Sequence, residues 1–208
     1  MIDEKLRKHY QDLFRKFGDA PESAQWSNRE TQEKRFEVLT EIGDLTGKSI
    51  LDFGCGTAQL ASFLIDRKIK ILNYTGVDIV EEMLACAAEK FPNYTFCNLK
   101  QALQHRYDYI FVSGVFNNKS DNNREFYQRM LKELFSICNE GLAFNMMSTY
   151  VDYYQDDLFY EQPEEVFTFV KREISPFVLL RHDYQVKPGI IPFEFSVYIY
   201  RRPLVNRT

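Results

Sequence analysis

Ser49-Ile50-Leu51-Asp52-Phe53-Gly54-Cys55-Gly56-Thr57-Ala58-Gln59-Leu60-Ala61-Ser62-Phe63-Leu64 is the stretch that decides the architecture. A short apolar run, Ile50 and Leu51, leads into Asp52. A turn spaced by Gly54 and Gly56 follows, then an amphipathic stretch from about Ala58. That order reads as a buried strand, a tight turn and a helix N-terminus. Glycine lets the backbone turn sharply and approach a ligand with no Cβ in the way. A helix N-terminus alone favours phosphate. A carboxylate beside it repels phosphate and favours a cationic ligand or one with donors to offer.

Outward from this turn, strands and helices alternate, which predicts a mostly parallel sheet with helices on both faces. Two helices precede it. The first carries Leu6, Tyr10, Leu13, Phe14 and Phe17 on one side and ends near Gly18; the second starts after Ser27 as N-cap, with Phe36, Leu39 and Ile42 inward. Strands are expected over 74–79, 94–99, 107–113 and 141–147, with helices over 80–91 and 123–138. Pro163 suits the first turn of a helix running to about Ile174. Segments 177–184 and 193–201, joined across Lys187-Pro188-Gly189, predict a closing pair of strands. One domain is expected over 1–208, with residues 1–46 as a helical cap and 47–208 as the core.

Composition supports a packed globule: 208 residues, 45% hydrophobic and 15% aromatic, with a formal charge of −4. No dense lysine/arginine stripe appears, which disfavours a nucleic-acid partner. Cys55, Cys86, Cys97 and Cys138 lie far apart, with no His at metal-ligand spacing, so reduced thiols and no metal site are expected. No apolar run approaches the roughly 20 residues that span a bilayer. With a charged start and no signal segment, the expectation is a soluble, cytoplasmic protein without a membrane partner.

The turn resembles the nucleotide-binding motif of class I S-adenosylmethionine-dependent methyltransferases, an acidic residue followed by G-x-G-x-G. Here the pattern stands as Asp52, Gly54 and Gly56, with Cys55 between the glycines and Ala58 where a third glycine is usual. A dinucleotide-binding G-x-G-x-x-G/A would need a small residue at Gln59 and makes no use of Asp52. The resemblance implies a Rossmann-like, mostly parallel seven-stranded sheet with a C-terminal antiparallel hairpin. It also implies S-adenosylmethionine as cofactor and S-adenosylhomocysteine as product.

In open α/β sheets, ligands bind beyond the carboxyl ends of the strands. Asp78 ends the second strand, 22 residues past Gly56, and the resemblance assigns it the ribose hydroxyls. Ile79 follows it, positioned to pack on adenine, and Asn98 can offer a carbonyl to the adenine amine. Ser113 and Gly114 close the fourth strand beside the expected methionine portion. The segment from Trp26 to Phe36 resembles one that folds over the cofactor in small bacterial methyltransferases, with Arg35 on the methionyl carboxylate and Trp26 and Gln32 enclosing it. A mixed-charge surface helix fits the same residues.

On the acceptor side, His182 is a candidate general base if the sixth long strand runs parallel with the others, because an imidazole titrates near neutrality. A rim histidine bonded to backbone is the structural alternative, and a His182–Asp183 dyad requires the strand to have ended. Asn117, Asn118, Lys119, Ser148 and Tyr150 are further acceptor-side candidates. Residues 151–165, rich in Tyr, Asp and Glu, read as a lid or as a solvated acidic loop. The expected activity is methyl transfer to O or N of a small metabolite, in a setting such as surface-sugar or natural-product biosynthesis. Rival readings are a protein or RNA methyltransferase and a non-catalytic cofactor-binding protein.

Overall fold

The computed structural model describes residues 4–25 and 28–204. In chain order the elements are α1 (Glu4–Phe17), a 3-10 turn (Pro21–Ala24), α2 (Arg29–Thr40), β1 (Ser49–Phe53), α3 (Gln59–Asp66), β2 (Asn73–Val77), α4 (Glu81–Lys90) and β3 (Thr95–Cys97). Then come α5 (Leu99–Ala102), β4 (Tyr107–Val112), α6 (Asn123–Ser136), β5 (Cys138–Ser148), β6 (Tyr160–Glu161), α7 (Pro163–Glu173), β7 (Phe177–Arg181) and β8 (Glu194–Tyr200).

The sheet runs β3-β2-β1-β4-β5-β8-β7. Neighbours are parallel except at β8, which is antiparallel to both β5 and β7. β7 therefore points the same way as β5, so its end lies at the carboxyl rim as the sequence pattern required. The expected seven strands are joined by an eighth, β6, which pairs in parallel with the end of β5 through Met147↔Tyr160 and Ser148↔Glu161. That strand was missed because two residues inside an acidic, aromatic loop carry no period-2 signal.

β1 is buried along its whole length, Asp52 included, which accounts for Ile50, Leu51 and Phe53 in it. On one face, Phe36, Leu39 and Ile42 pack with Leu60, Phe63 and Leu64 against Tyr74 and Tyr109. On the other, Tyr127, Met130 and Leu134 of α6 and Val166 and Val170 of α7 pack against Leu142, Phe144, Val197 and Ile199. Each such side chain contributes about 1.5–3 kcal/mol through burial. α2 is also pinned to β8 by hydrogen bonds, as the Tyr198 and Tyr200 hydroxyls donate to the Val38 and Ile42 carbonyls.

Ser27 and Trp26 lie outside the described residues. The cap seen on α2 is Asn28, whose side-chain oxygen accepts from the Thr31 amide at 2.9 Å. Among the described residues no helix is long and apolar enough to cross a membrane.

Candidate functional site

The strand order reverses between β1 and β4, so the loops after these two strands diverge and open a crevice at the carboxyl rim. The loop after β1 is tied to β2, since the Gly54 and Cys55 amides both donate to the Val77 carbonyl at 2.7 and 3.0 Å. Gly54 sits at φ +82°, and a Cβ there would lie 2.3 Å from Cγ2 of Val115 in the loop after β4. Only glycine allows that approach. Ala58 also takes a left-handed conformation, φ +62°, and is fully buried at the start of α3. Alanine tolerates the place a third glycine would occupy, at a cost of roughly 1–2 kcal/mol.

Two carboxylates flank this loop. Asp52 is buried and accepts a hydrogen bond from the Tyr74 hydroxyl. Burial pushes its pKa up to about 7, the Tyr74 bond opposing and Asp78 assisting. A carboxyl that binds its proton more tightly when folded stabilises the fold at low pH, and that stability is lost as pH rises from the unfolded value near 4 through about 7. Chemical denaturation of the free protein is therefore expected to show stability falling across this window. Asp52→Asn should flatten the fall, and an unchanged slope in the variant would assign it to other groups.

Asp78 stands just beyond β2. Its Oδ2 accepts from the Gly56 amide at 2.8 Å and its Oδ1 from the Val80 amide at 2.9 Å. Burial nevertheless raises its pKa, and the backbone bonds only partly counter it. Cys55 turns its Sγ away from the crevice toward β2, where it lies 2.7 Å from a Cβ built on Gly76. Its contribution to the loop is backbone, and burial raises its thiol pKa well above the ordinary value. Ile79 is half-buried at the start of the next turn. Asn98 caps α5: its side-chain oxygen accepts from the Gln101 amide at 3.0 Å while the Gln101 side chain accepts from the Asn98 amide at 3.2 Å. That capping box engages one lone pair of the carbonyl expected to face adenine.

At the end of β4, Gly114 turns at φ +75°, and its amide donates to Asn145 Oδ1 at 2.8 Å. The neighbouring Ser113 Oγ is buried and has no hydrogen-bond partner among the described residues. Arg35 lies nearby and is buried. Its Nε donates to Glu194 Oε2 at 2.8 Å and its Nη1 to the Thr31 carbonyl at 2.8 Å. The guanidinium expected to hold a cofactor carboxylate thus already holds a protein carboxylate. Gln32 is buried beside it on α2.

The residues expected on the acceptor side gather around the loop after β4. Asn117 Oδ1 accepts from the Met147 amide at 3.2 Å, and its carbonyl accepts from the Phe159 amide at 2.8 Å. Asn118 and Leu158 form an isolated antiparallel bridge, with the Lys119 amide donating to the Asp157 carbonyl at 2.9 Å. Residues 149–162 are thereby stitched to the rim. Ser148 is buried, and its Oγ accepts from the Tyr150 amide at 3.1 Å. Tyr150 is exposed, 6.0 Å from the His182 ring.

His182 follows the last residue of β7, and its Nε2 lies 3.1 Å from the Pro192 carbonyl. A carbonyl only accepts, so Nε2 carries a proton and Nδ1 is left as the basic nitrogen. Asp183 does not form a dyad with it. Its carboxylate accepts from Arg181 Nε at 2.6 Å instead.

Sequence reasoning missed Tyr10. Its hydroxyl accepts from Asn118 Nδ2 at 2.6 Å, and burial pushes its pKa up to about 12, with Asp78 adding to the rise. α1 therefore lies across the crevice between the ends of β2 and β4. It is fastened there by Gln11 donating to Glu82, and the turn that follows it by Lys90 pairing with Asp19 at 2.7 Å. It places Asn145 at the end of the fifth strand without this role, and it missed Glu194. The one available signal was an acidic residue inside the apolar run F-E-F-S-V-Y-I-Y.

A glycine turn at the switch point of such a sheet, with carboxylates on both sides, defines a nucleoside-binding α/β protein. Residues 51–139 match the family described as a methyltransferase domain. The provisionally named methyltransferase Rv1506c of Mycobacterium tuberculosis is 31% identical over 159 residues, covering 73% of this chain and 92% of that protein. Magnesium protoporphyrin IX methyltransferase from Synechocystis PCC 6803, with bound S-adenosylhomocysteine, has a TM-score of 0.70 at 15% identity, over 96% of this chain and 100% of that one. The plantazolicin methyltransferase BpumL gives 0.62 at 13% identity, over 95% and 91%. The chain belongs to the methyltransferases, and its fold is that of the class I enzymes that bind S-adenosylmethionine. The crevice fits that cofactor: Ser113 offers a buried hydroxyl with no hydrogen-bond partner among the described residues, beside the glycine turn that packs on Val115. When bound, S-adenosylmethionine supplies a methyl group on a sulfonium sulfur, and the protein contributes orientation and exclusion of water.

Proposed function

We propose that this methyltransferase acts at oxygen or nitrogen of a small metabolite, in a biosynthetic setting such as surface-sugar or natural-product assembly, as one domain. In this reading Asp78 holds the ribose, Ile79 and Asn98 face the adenine, and Asp52, Gly54, Gly56, Ser113 and Gly114 enclose the rest of the cofactor. Arg35 supports the methionine end while bound to Glu194. The observation that carries the acceptor assignment is His182. Its Nδ1 is left basic by the Nε2 contact to Pro192, at the rim and beside exposed Tyr150.

A nucleic-acid substrate is disfavoured by the segment that borders the acceptor side. From Thr149 to Val170 there is no Lys or Arg, while Asp152, Asp156, Asp157 and Glu164 bring negative charge. Phosphate would be repelled there. The magnesium protoporphyrin and plantazolicin enzymes show that proteins of this fold carry names with small-molecule acceptors.

A panel of small amines, phenols and sugars, assayed for S-adenosylhomocysteine release, tests the reading. With an acceptor in hand, His182→Ala should lower kcat by about 100-fold or more while cofactor affinity stays within about twofold. Equal losses in both would reduce His182 to a structural part of the rim.

A further inference from the structure

We propose that Asn145 and Glu194, which lie behind the crevice, are positioning residues that set cofactor affinity through the turn at Gly114. The inference rests on the cofactor reading of the crevice. The β4–β5 ladder ends at Val112↔Phe144, so the Gly114 amide lies past the last paired strand residue. The Asn145 side chain continues the ladder by one rung, its Oδ1 accepting from that amide at 2.8 Å. Its Nδ2 donates to Glu194 Oε1 at 3.2 Å.

A side-chain amide can present either end to a partner. Glu194 removes the choice. It is fully buried and receives Arg35 Nε at 2.8 Å and the Tyr184 hydroxyl at 3.2 Å, and Tyr184 in turn is bonded to Ser196 at 2.8 Å. A carboxylate so surrounded only accepts. The Asn145 amide group must therefore face it, which leaves the oxygen for Gly114. Side chains from α2, β5 and β8 and from the connection after β7 thus converge on a single backbone N–H. The residue before that N–H, Ser113, holds the buried unpaired hydroxyl. An edge held in place before the ligand arrives costs nothing to order on binding.

The test reads two quantities: S-adenosylhomocysteine affinity by titration calorimetry, and Gly114 amide exchange by NMR in the ligand-free protein. Asn145→Ala should accelerate Gly114 exchange and weaken binding by about tenfold or more, while β5 and β8 amides keep their protection. The double variant Arg35→Met/Glu194→Gln keeps the site neutral and lets residue 194 present an amide. It should place ligand-free Gly114 exchange between wild type and Asn145→Ala, a readout that any contact of Arg35 with the cofactor does not move. It carries the test if Asn145→Ala fails to fold, and wild-type exchange in it then overturns the proposal. Unchanged Gly114 exchange in Asn145→Ala overturns the proposal, as does accelerated exchange with wild-type affinity. Absence of binding by the wild-type protein overturns the cofactor reading instead, and Gly114 exchange still reports whether Asn145 holds the turn.

Discussion

Asp78→Ala is expected to weaken S-adenosylhomocysteine binding by about tenfold at the least and about 100-fold if both ribose hydroxyls use this carboxylate. Two effects add. The substitution removes the acceptor proposed for the sugar, and it releases the Gly56 and Val80 amides that Asp78 now holds at 2.8 and 2.9 Å. Hydrogen bonds to charged groups are worth roughly 1.5–3 kcal/mol each, and about 1.4 kcal/mol is a tenfold change in affinity. Asp78→Asn separates the effects, because it retains one oxygen for a backbone amide but offers donors where the ribose would donate. Titration calorimetry on the three proteins decides it. Wild-type affinity in Asp78→Ala would remove the residue from the cofactor site.

Arg35→Met should give the largest loss of stability. The Arg35–Glu194 pair is buried on both sides, with side-chain exposures of 6% and 1%. Breaking such a pair leaves a charge without its partner and costs about 3–5 kcal/mol. At roughly 2–4 °C per kcal/mol for a chain of this length, the melting temperature should fall by about 6–20 °C. Replacing both partners, Arg35→Met/Glu194→Gln, should recover most of that loss. A single variant that melts like wild type would show that the pair contributes nothing to the free protein.

The parts of the fold that declare themselves locally were legible in the chain. Ile50 and Leu51 before Gly54 and Gly56 locate β1 and its turn, Pro163 starts α7, and the spacing of Asp78 after the glycines places it at the rim. What escaped depends on contacts remote in sequence. Glu194 meets Arg35 across 159 positions and Tyr10 meets Asn118 across 108, and no local pattern encodes either. The bond that Ser148 Oγ accepts from the Tyr150 amide is likewise set by backbone geometry after β5, which residue type does not encode. Residue type told where carboxylates and glycines were wanted; it did not tell which polar groups would satisfy one another in the interior.

β6 gives the segment bordering the acceptor side an unusual mechanical character. Tyr160 and Glu161 pair with β5 beyond the point where β4 has departed, and Glu161 is clamped by a two-bond fork from Arg124 at 2.6 and 2.7 Å. A flap woven into the central sheet at its base cannot swing as a whole without unravelling a strand. If the acceptor binds on this side, as proposed, its admission and release fall to the outer tip, around 150–157, where insertions or deletions would change the choice of acceptor and leave the cofactor half of the molecule untouched.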